Sequence, residues 1–291
     1  MKASVVAVVI NWKDATRTIK CVSELRIADA DMAIVVVDNE SSGEFARQIA
    51  NTDLGSSITL IPVPLNKGFA GGMNEAFLHI KNWDYQFVLA INNDAAVDKS
   101  ALAGLLDCMT RDSTLGIVAP RVVNSDGSLQ SAGATVIPWR AGIKHSVTPE
   151  SIDYLTWACV LLRRSMLDEV GMLDERFFMY WEDVDYGIRA RAAGWKLAID
   201  STSSATHELS ASRSKAGNAL TTYYVWGLGV MAAKWGGPWW GGAVIRALGI
   251  LAKRIVRLDF HGAAAVAAGI FRWSSRAPRA YLAVEDRPVT T

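Results

Sequence analysis

Four short runs of β-branched and other apolar residues recur in the first third of the chain, with helix-like segments between them. The runs are SVVAVVI (4–10), MAIVVVD (32–38), ITLIPV (58–63) and QFVLAIN (86–92). Strands that are apolar at nearly every position are typical of a mostly parallel sheet covered by helices on both faces. The first half of the chain is therefore predicted to be α/β.

Three of these runs end in polar residues: NWKD follows the first, DNESS the second and NND the fourth. In open α/β sheets, ligands bind in the crevice beyond the carboxyl ends of the strands. Because these clusters all lie at such ends, we expect them to converge on one site.

Charge and cysteine usage exclude several other classes of protein. The 291 residues carry a formal net charge of +1, so no overall basic field indicates a nucleic-acid partner. Cys21, Cys108 and Cys159 form no CxxC pair, which argues against a zinc cluster or a disulfide framework. The apolar run near the N-terminus is too short for a secretory signal. A reducing, cytoplasmic location is the expectation.

Asp38 closes the second apolar run, and two interpretations of it remain open. A strand-terminal aspartate often caps a turn through a nearby backbone N–H. In a nucleotide site, the same carboxylate could accept the ring N–H of a pyrimidine and so select the base.

The segment NKGFAGGMNEA (66–76) brings Gly68, Gly71 and Gly72 ahead of a helix that is predicted to start near Met73 and Asn74. Such glycines would let backbone N–H groups and a helix N-terminus approach a phosphate. The segment is neither GxGxxG nor a P-loop, which disfavours a dehydrogenase or a kinase.

The NND cluster consists of Asn92, Asn93 and Asp94. Carboxylate and amide oxygens are ligands suited to Mg²⁺ or Mn²⁺, and such a cation would bridge a diphosphate. The alternative is an Asx-rich turn with no ligand.

MYWEDVDYGIRA (179–190) places Glu182, Asp183 and Asp185 between aromatic residues and a predicted helix that stops at Gly194. These acids could simply favour the helix dipole. A partly dry aromatic wall would instead raise the proton affinity of a carboxylate, as a general base requires. His207, after the strand candidate WKLAID, could be a metal ligand or a phosphate donor.

The composition changes near residue 223, so we expect a catalytic domain over 1–222 and a helical region over 223–291. A helical apolar spacing joins Val244, Leu248, Leu251, Ile255 and Leu258, while Arg246, Lys253, Arg254 and Arg257 project to the other side. Charges interrupt every window long enough to cross a bilayer. Two interpretations stay open: a helix lying on an anionic membrane, beside the Trp-rich turn at 235–240, and a helix packed on its own domain.

Taken together, the motifs resemble the family 2 inverting glycosyltransferases, especially the bacterial rhamnosyltransferase-like and galactofuranosyltransferase-like branch. The resemblance covers about residues 3–210 and rests on the ordered occurrence of VVINWKD, VVVDNESS, NKGFAGGMNEA, LAINNDAAV, the segment from ACVLLRR to RAAGW, and His207. It implies a GT-A (nucleotide-diphospho-sugar transferase) fold, with a mostly parallel central sheet flanked by helices and a C-terminal helical extension.

The resemblance also assigns roles to individual residues. Asp38 would contact the pyrimidine, and Asp94 and His207 would hold Mg²⁺ or Mn²⁺ at the position of the family's DXD motif. Asp183 would be the general base, and Glu182 and Asp185 would then orient the acceptor or hold neighbouring groups. The remaining donor-binding positions would be Asn11, Asn66, Gly68, Gly71, Gly72, Asn74, Asn92 and Asn93.

The implied reaction is inverting transfer of a sugar from a dTDP- or UDP-sugar, with L-rhamnose the first choice, to a cell-envelope or lipid-linked glycan or another hydroxyl acceptor. The enzyme would be cytoplasmic, with peripheral contact to the inner face of the cell membrane. The sequence departs from many relatives in having Asn92 in place of Asp, and YYVWGL (223–228) without the Arg and Asn of a YYxxRN-like segment. These departures keep a non-catalytic nucleotide-sugar-binding protein as the alternative.

Overall fold

The protein is described by a computed structural model covering residues 5–145, 151–208 and 210–273. Its strands are β1 (Val5–Asn11), β2 (Ala33–Asn39), β3 (Thr59–Val63), β4 (Phe87–Asn92), β5 (Ala95–Val97), β6 (Leu115–Val123), β7 (Leu129–Ser131), β8 (Ala134–Ile137), β9 (Gly142–His145), β10 (Cys159–Arg163) and β11 (Lys196–His207). Its helices are α1 (Ala15–Ala28), α2 (Glu44–Ala50), α3 (Gly68–Ile80), α4 (Lys99–Arg111), α5 (Arg164–Val170), α6 (Glu182–Ala192), α7 (Ser210–Trp235), α8 (Pro238–Val256) and α9 (Phe260–Phe271).

The main sheet has the strand order β3-β2-β1-β4-β10-β6-β11-β5, with β7 paired to β6. Strands β1 to β4 are mutually parallel where they pair, and β11 is parallel to β6. Strand β10 is antiparallel to both of its neighbours. The four predicted strands are confirmed to within about one residue, and the sheet is mostly parallel as expected.

Burial on both faces explains why the strands are apolar throughout. In β1, Val5, Ala7 and Val9 pack in a cluster with residues of α1, α2 and α4. The alternate residues Val6 and Val8 pack with α3, α5 and α6. Since successive side chains of a strand point to opposite faces, a strand covered on both faces has no position left for a polar residue.

Helix α3 begins at Gly68, and the prediction of a start near Met73 was wrong. Gly68 has φ +69°, and a Cβ there would lie 2.0 Å from the carbonyl oxygen of Phe178. The Oδ1 of Asn66 accepts from the Gly68 N–H at 2.9 Å, and the Oδ1 of Asn39 accepts from the Lys67 N–H at 2.9 Å. These side-chain contacts fix the start of the helix, and they place Gly71 and Gly72 inside it.

Helix α8 packs on its own domain, but mainly through residues outside the predicted apolar stripe. The residues packed inward are Trp239, Gly242, Ala243 and Ala247, whereas Val244, Leu248 and Ile255 are 42%, 53% and 51% exposed. Small residues allow a close approach to the turn at 138–141: a Cβ on Gly242 would lie 2.4 Å from the Pro138 carbonyl oxygen. The close approach of the α8 backbone to this turn, rather than the spacing of large apolar residues, therefore determines which face of α8 is buried.

Helices α7, α8 and α9 pack on one another and on Trp181 and Val184. Helix α7 runs through residue 222, the predicted end of the catalytic domain, and has non-helical backbone angles at Gly217. Within the described residues, no helix combines the length and apolar character needed to cross a bilayer.

Candidate active site

A cavity of about 1040 Å³ lies beyond the carboxyl ends of β1, β2 and β4 and extends to α7 and α8. Eight of the predicted site residues line it. They are Asn66, Gly68, Asn92, Asn93, Asp94, Glu182, Asp183 and His207. The predicted convergence of strand ends therefore occurs, and it brings the NND cluster and the acidic residues of α6 to one cavity.

Asp38 and Asn11 are buried and do not line this cavity, although the next residues in sequence, Asn39 and Trp12, do. The Asn11 side chain donates to Asp38 Oδ1 at 2.6 Å, and Thr18 Oγ1 donates to Asn11 Oδ1 at 2.7 Å. Asn93 in turn donates to Thr18 Oγ1 at 3.0 Å. Within the described residues, the buried Asp38 Oδ2 has no hydrogen-bond partner, so the carboxylate retains a free acceptor. Its predicted contact with a base remains a prediction.

Gly71, Gly72 and Asn74 do not line the cavity. Asn74 is buried, its amide donates to the Leu173 carbonyl oxygen and to Glu175, and its Oδ1 accepts from the Leu173 N–H at 3.0 Å. This pairing ties α3 to the segment ahead of α6. Donor contacts at Gly71, Gly72 and Asn74 remain predictions, and the proposed mechanism does not depend on them.

Asn39 and Gln130 shape the cavity, although neither was a candidate from the sequence. Asn39 is buried and donates to Asn66 Oδ1 and to the Gly68 carbonyl oxygen at 2.9 Å, which holds the loop before α3. The only signal for Asn39 was its place in DNESS, immediately after Asp38. Gln130 lies in an irregular stretch of sequence that carried no signal.

Asp94, His207 and Asn92 form a compact group. His207 Nε2 lies 3.2 Å from Asp94 Oδ1 and 3.3 Å from the Asn92 amide nitrogen. On the other side of the ring, Nδ1 lies 2.6 Å from Gln130 Oε1. The Gln130 amide nitrogen donates to Asn124 Oδ1 at 2.8 Å, so its oxygen faces the histidine.

This geometry fits a divalent cation shared with a ligand. Because Gln130 presents an acceptor, Nδ1 carries the proton of a neutral ring and leaves the Nε2 lone pair facing Asp94. Two acceptors at 3.2 Å need a proton or a cation between them. No group of three His, Cys, Asp or Glu side chains suited to a metal occurs among the described residues, so a cation here would need oxygen ligands from the substrate as well.

The two acids at the start of α6 are perturbed by burial. Burial and the neighbouring charge of Asp183 raise the pKa of Glu182 well above its ordinary value, and its Oε2 has no hydrogen-bond partner among the described residues. Burial raises the pKa of Asp183 to about 7. Burial thus favours the protonated form of Glu182, while Asp183 can both hold and release a proton near neutral pH, as a general base requires.

The aromatic segment ahead of these acids holds them in place. Tyr180 and Trp181 have φ of +71° and +75°, which is a costly conformation for bulky side chains. The Phe69 N–H donates to the Phe178 carbonyl oxygen at 2.8 Å, and the Trp181 indole donates to the Tyr224 carbonyl oxygen at 3.2 Å. Contacts with α3 and α7 thus fix the positions of Glu182 and Asp183.

The chain is similar in sequence to known proteins. The family model described as "Glycosyltransferase like family 2" matches residues 3–221. A curated relative, the low-salt glycan biosynthesis hexosyltransferase Agl10 of Haloferax volcanii, is 27% identical over 168 residues, which is 54% of this chain and 52% of the relative. The N-acetylglucosaminyl-diphospho-decaprenol L-rhamnosyltransferase of Mycobacterium tuberculosis is 26% identical over 48% of this chain and 55% of its own length. The chain thus matches about half the length of these relatives.

A solved structure shares the fold over nearly the whole chain. The mannosyltransferase PcManGT from Pyrobaculum calidifontis, solved with GDP-Man and Mn²⁺, superimposes with a TM-score of 0.60 at 15% identity, covering 94% of this chain and 87% of that one. Likeness at this level of identity shows the fold alone. The predicted GT-A architecture is confirmed by it.

Proposed function

Since this chain belongs to the glycosyltransferase-like family 2, we propose that it transfers a hexosyl group from a nucleotide-diphosphate sugar to a hydroxyl acceptor with inversion at the anomeric carbon. One observation carries the proposal: Asp94 with His207, and Asp183, line the same cavity. Asp94 and His207 can bind the cation that contacts the donor diphosphate, while Asp183 is available to the acceptor hydroxyl.

Asp183 receives the proton of the acceptor hydroxyl as that oxygen bonds to the anomeric carbon. The bond from this carbon to the donor phosphate breaks, and the nucleoside diphosphate leaves with the electron pair. Asp94 and His207 would hold Mg²⁺ or Mn²⁺, which supplies positive charge to the departing diphosphate when bound. Protonated Glu182 can donate a hydrogen bond towards the acceptor, and Gln130 keeps His207 in the required tautomer.

The donor is proposed to be dTDP-L-rhamnose or another dTDP- or UDP-sugar. The M. tuberculosis relative is named as an L-rhamnosyltransferase that acts on a diphospho-decaprenol-linked sugar. That name supports rhamnose and a lipid-linked acceptor for this chain, and the free oxygen of Asp38 supports a pyrimidine nucleotide.

Donor binding should depend on Asp94. A ligand that binds only the folded state at 100 times its Kd stabilises that state by about 2.7 kcal/mol. We expect dTDP-L-rhamnose with Mn²⁺ to raise the melting temperature of the wild type, and Asp94→Ala to lose the Mn²⁺-dependent part of that rise. The measurement is a thermal-shift titration over a panel of nucleotide sugars with Mn²⁺ or EDTA. Asp107→Ala is the control, since Asp107 is exposed on α4, and an unchanged Mn²⁺ effect in Asp94→Ala would refute the assignment.

The alternative, a binding protein without catalysis, predicts the same thermal shift but no transfer. Product formation with the stabilising donor and Mn²⁺ separates the two. The raised pKa of Asp183 in the cavity favours the enzyme, since binding alone gives no reason to bury a carboxylate there.

Peripheral contact with the cytoplasmic face of an anionic membrane is also part of the proposal. The outward face of α8 and the turn after it expose large apolar side chains, with Ile245 69% and Val256 83% exposed. Lys253 and Arg257 are exposed on the same helix and at its end. Apolar side chains flanked by cations suit the headgroup region of an anionic bilayer.

Membrane binding should therefore depend on the outward face of α8. Burying one large aliphatic side chain is worth roughly 1.5–3 kcal/mol, so the double variant Ile245→Asn, Leu248→Asn should partition at least tenfold more weakly into phosphatidylglycerol-containing vesicles. Flotation of the full chain measures this. Ile27→Asn on α1 is the matched control because Ile27 is 78% exposed but lies elsewhere. Equal flotation of the double variant and the wild type would exclude this surface.

A further inference from the structure

Helix α8 turns two guanidinium groups towards the cavity, on the side opposite its exposed apolar face. Arg246 and Arg254 both line the cavity, with Ile250 between them. Arg246 and Arg254 are eight residues apart, which corresponds to about 12 Å along the helix axis. Their long side chains can bring the two guanidinium groups closer together than that. The proposed transfer mechanism uses none of these three residues.

Arg246 is oriented but not neutralised. Its Nε donates to the Tyr224 hydroxyl at 2.5 Å, and its guanidinium lies 5.6 Å from the centre of the Tyr224 ring. Gly142 leaves room for it, since a Cβ there would lie 2.9 Å from a terminal nitrogen of Arg246. Across the described part of the chain, no carboxylate forms an ion pair with Arg246. Most of its five N–H donors therefore remain available to a ligand.

Arg254 is held more firmly. It forms an ion pair with Asp259 and donates to Thr221 Oγ1 at 3.3 Å. Asp259 also caps α9 by accepting from the Gly262 N–H at 2.8 Å. These contacts fix the position of Arg254 and leave part of its donor fork towards the cavity.

The two ends of the cavity thus have opposite electrostatic character. Asp94 and His207 lie at the sheet end and suit a cation, whereas the α8 end carries two guanidiniums that form an ion pair with a single carboxylate, Asp259, among the described residues. Tyr224 connects this end to the acids, because the Trp181 indole donates to its carbonyl oxygen.

We propose that Arg246 and Arg254 bind the phosphate groups of a phosphorylated lipid carrier that bears the acceptor sugar. Guanidinium forks pair with phosphate oxygens through two parallel hydrogen bonds. Ile250, which lines the cavity between the two arginines, offers apolar contact to the lipid portion next to the phosphates. This inference rests on the proposed function, since it names the acceptor class of the same cavity.

Binding of farnesyl diphosphate, measured calorimetrically in EDTA, tests the inference without the donor cation. Charge-assisted hydrogen bonds to phosphate contribute to the free energy of binding, so Arg246→Gln should weaken the binding of farnesyl diphosphate about tenfold. The double variant Arg246→Gln, Arg254→Gln should weaken it by about 10- to 100-fold. Arg257→Gln, which removes an exposed arginine at the end of α8, is the matched control and should bind as the wild type does. Farnesol should bind more weakly than the diphosphate, with no dependence on the arginines.

Several outcomes would overturn the proposal. These are no binding of farnesyl diphosphate to the wild type, equal loss in Arg257→Gln, or unchanged binding in the single Arg246→Gln variant, which removes no ion pair and so should fold. Sodium pyrophosphate and phosphatidylglycerol vesicles identify the source of the phosphate: arginine-dependent binding of the vesicles alone would indicate a bulk lipid headgroup and refute a carrier.

The donor assay keeps this inference separate from the proposed function. The Mn²⁺-dependent shift with dTDP-L-rhamnose should persist in the double arginine variant, because Asp94 and His207 are intact. If the wild type does not bind the donor but does bind farnesyl diphosphate through the arginines, the proposed transferase function is refuted and the proposed anion site is still supported.

Discussion

Replacing Asp183 by Asn should lower the rate of sugar transfer by about 10²- to 10⁴-fold, the usual contribution of a positioned general base. Asparagine has a side chain of the same size, but its amide cannot take up the proton that the acceptor hydroxyl releases. Binding of the donor and Mn²⁺ should persist, because Asp94 and His207 are unchanged. The measurement is the initial rate of transfer, paired with the thermal shift produced by the donor. A variant with full activity would remove Asp183 from the mechanism.

The pH dependence of the wild-type rate provides the internal check. Burial raises the pKa of Asp183 to about 7, so the base is protonated below that pH and the rate should fall tenfold per pH unit there. The residual rate of the Asp183→Asn variant should not show this fall at low pH.

The thermal stability of the Asp183→Asn variant shows whether its activity is lost because the base is missing or because the protein is misfolded. The folded state holds the Asp183 proton up to about pH 7, whereas an unperturbed aspartate releases it near 3.8. A carboxyl with a raised pKa contributes stability below its unfolded pKa and loses that contribution as the pH rises through its folded pKa. Asparagine does not titrate, so above pH 7 the variant should be at least as stable as the wild type. A lower melting temperature at pH 8 would mean that any lost activity reflects misfolding.

Asp185→Ala should lower the free energy of unfolding by about 3–5 kcal/mol, because it removes a fully buried carboxylate shared by two partly buried cations. Asp185 is fully buried and pairs with Arg189 at 3.0 Å and with Lys234 at 2.9 Å. Its other oxygen accepts from the Trp235 indole at 3.0 Å. This single carboxylate joins α6, which bears the proposed catalytic acids, to the end of α7.

Urea unfolding measures that loss. Asp107→Ala is the control, since it removes an exposed pair with Arg111 in which the side chains are 51% and 78% accessible, and such pairs contribute about 0.3–0.5 kcal/mol. A loss below about 1 kcal/mol in Asp185→Ala would show that Lys234 is satisfied by its second partner, Asp174, which also lies 2.9 Å away.

Much of the site could be predicted because it depends on local rules. Residues at the carboxyl ends of parallel strands meet at one edge, so Asn92, Asn93 and Asp94 were placed correctly beside the cavity. The aromatic residues around Glu182, Asp183 and Asp185 indicated buried acids, the family resemblance selected Asp183 among them, and the structure gives its raised pKa the expected cause, burial.

Other parts of the site depend on contacts between distant segments. Asn92 and His207 are 115 residues apart, and Gln130 reaches His207 across 77 residues. No pattern around Gln130 indicates a role, because its function is to orient a side chain on another strand. Similarly, the wall formed by Arg246 and Arg254 exists only because α8 packs through its small residues.

The sequence alone determined the α/β class, the strand positions and the acids available for chemistry, since each depends on the period of apolar residues and on the polar residues at strand ends. Only the tertiary structure decided where α3 begins and which face of α8 is exposed. In both cases, backbone atoms of distant segments come within contact distance of a glycine, Gly68 or Gly242. Steric exclusion between parts of the chain far apart in sequence then outweighs the local preference of either part.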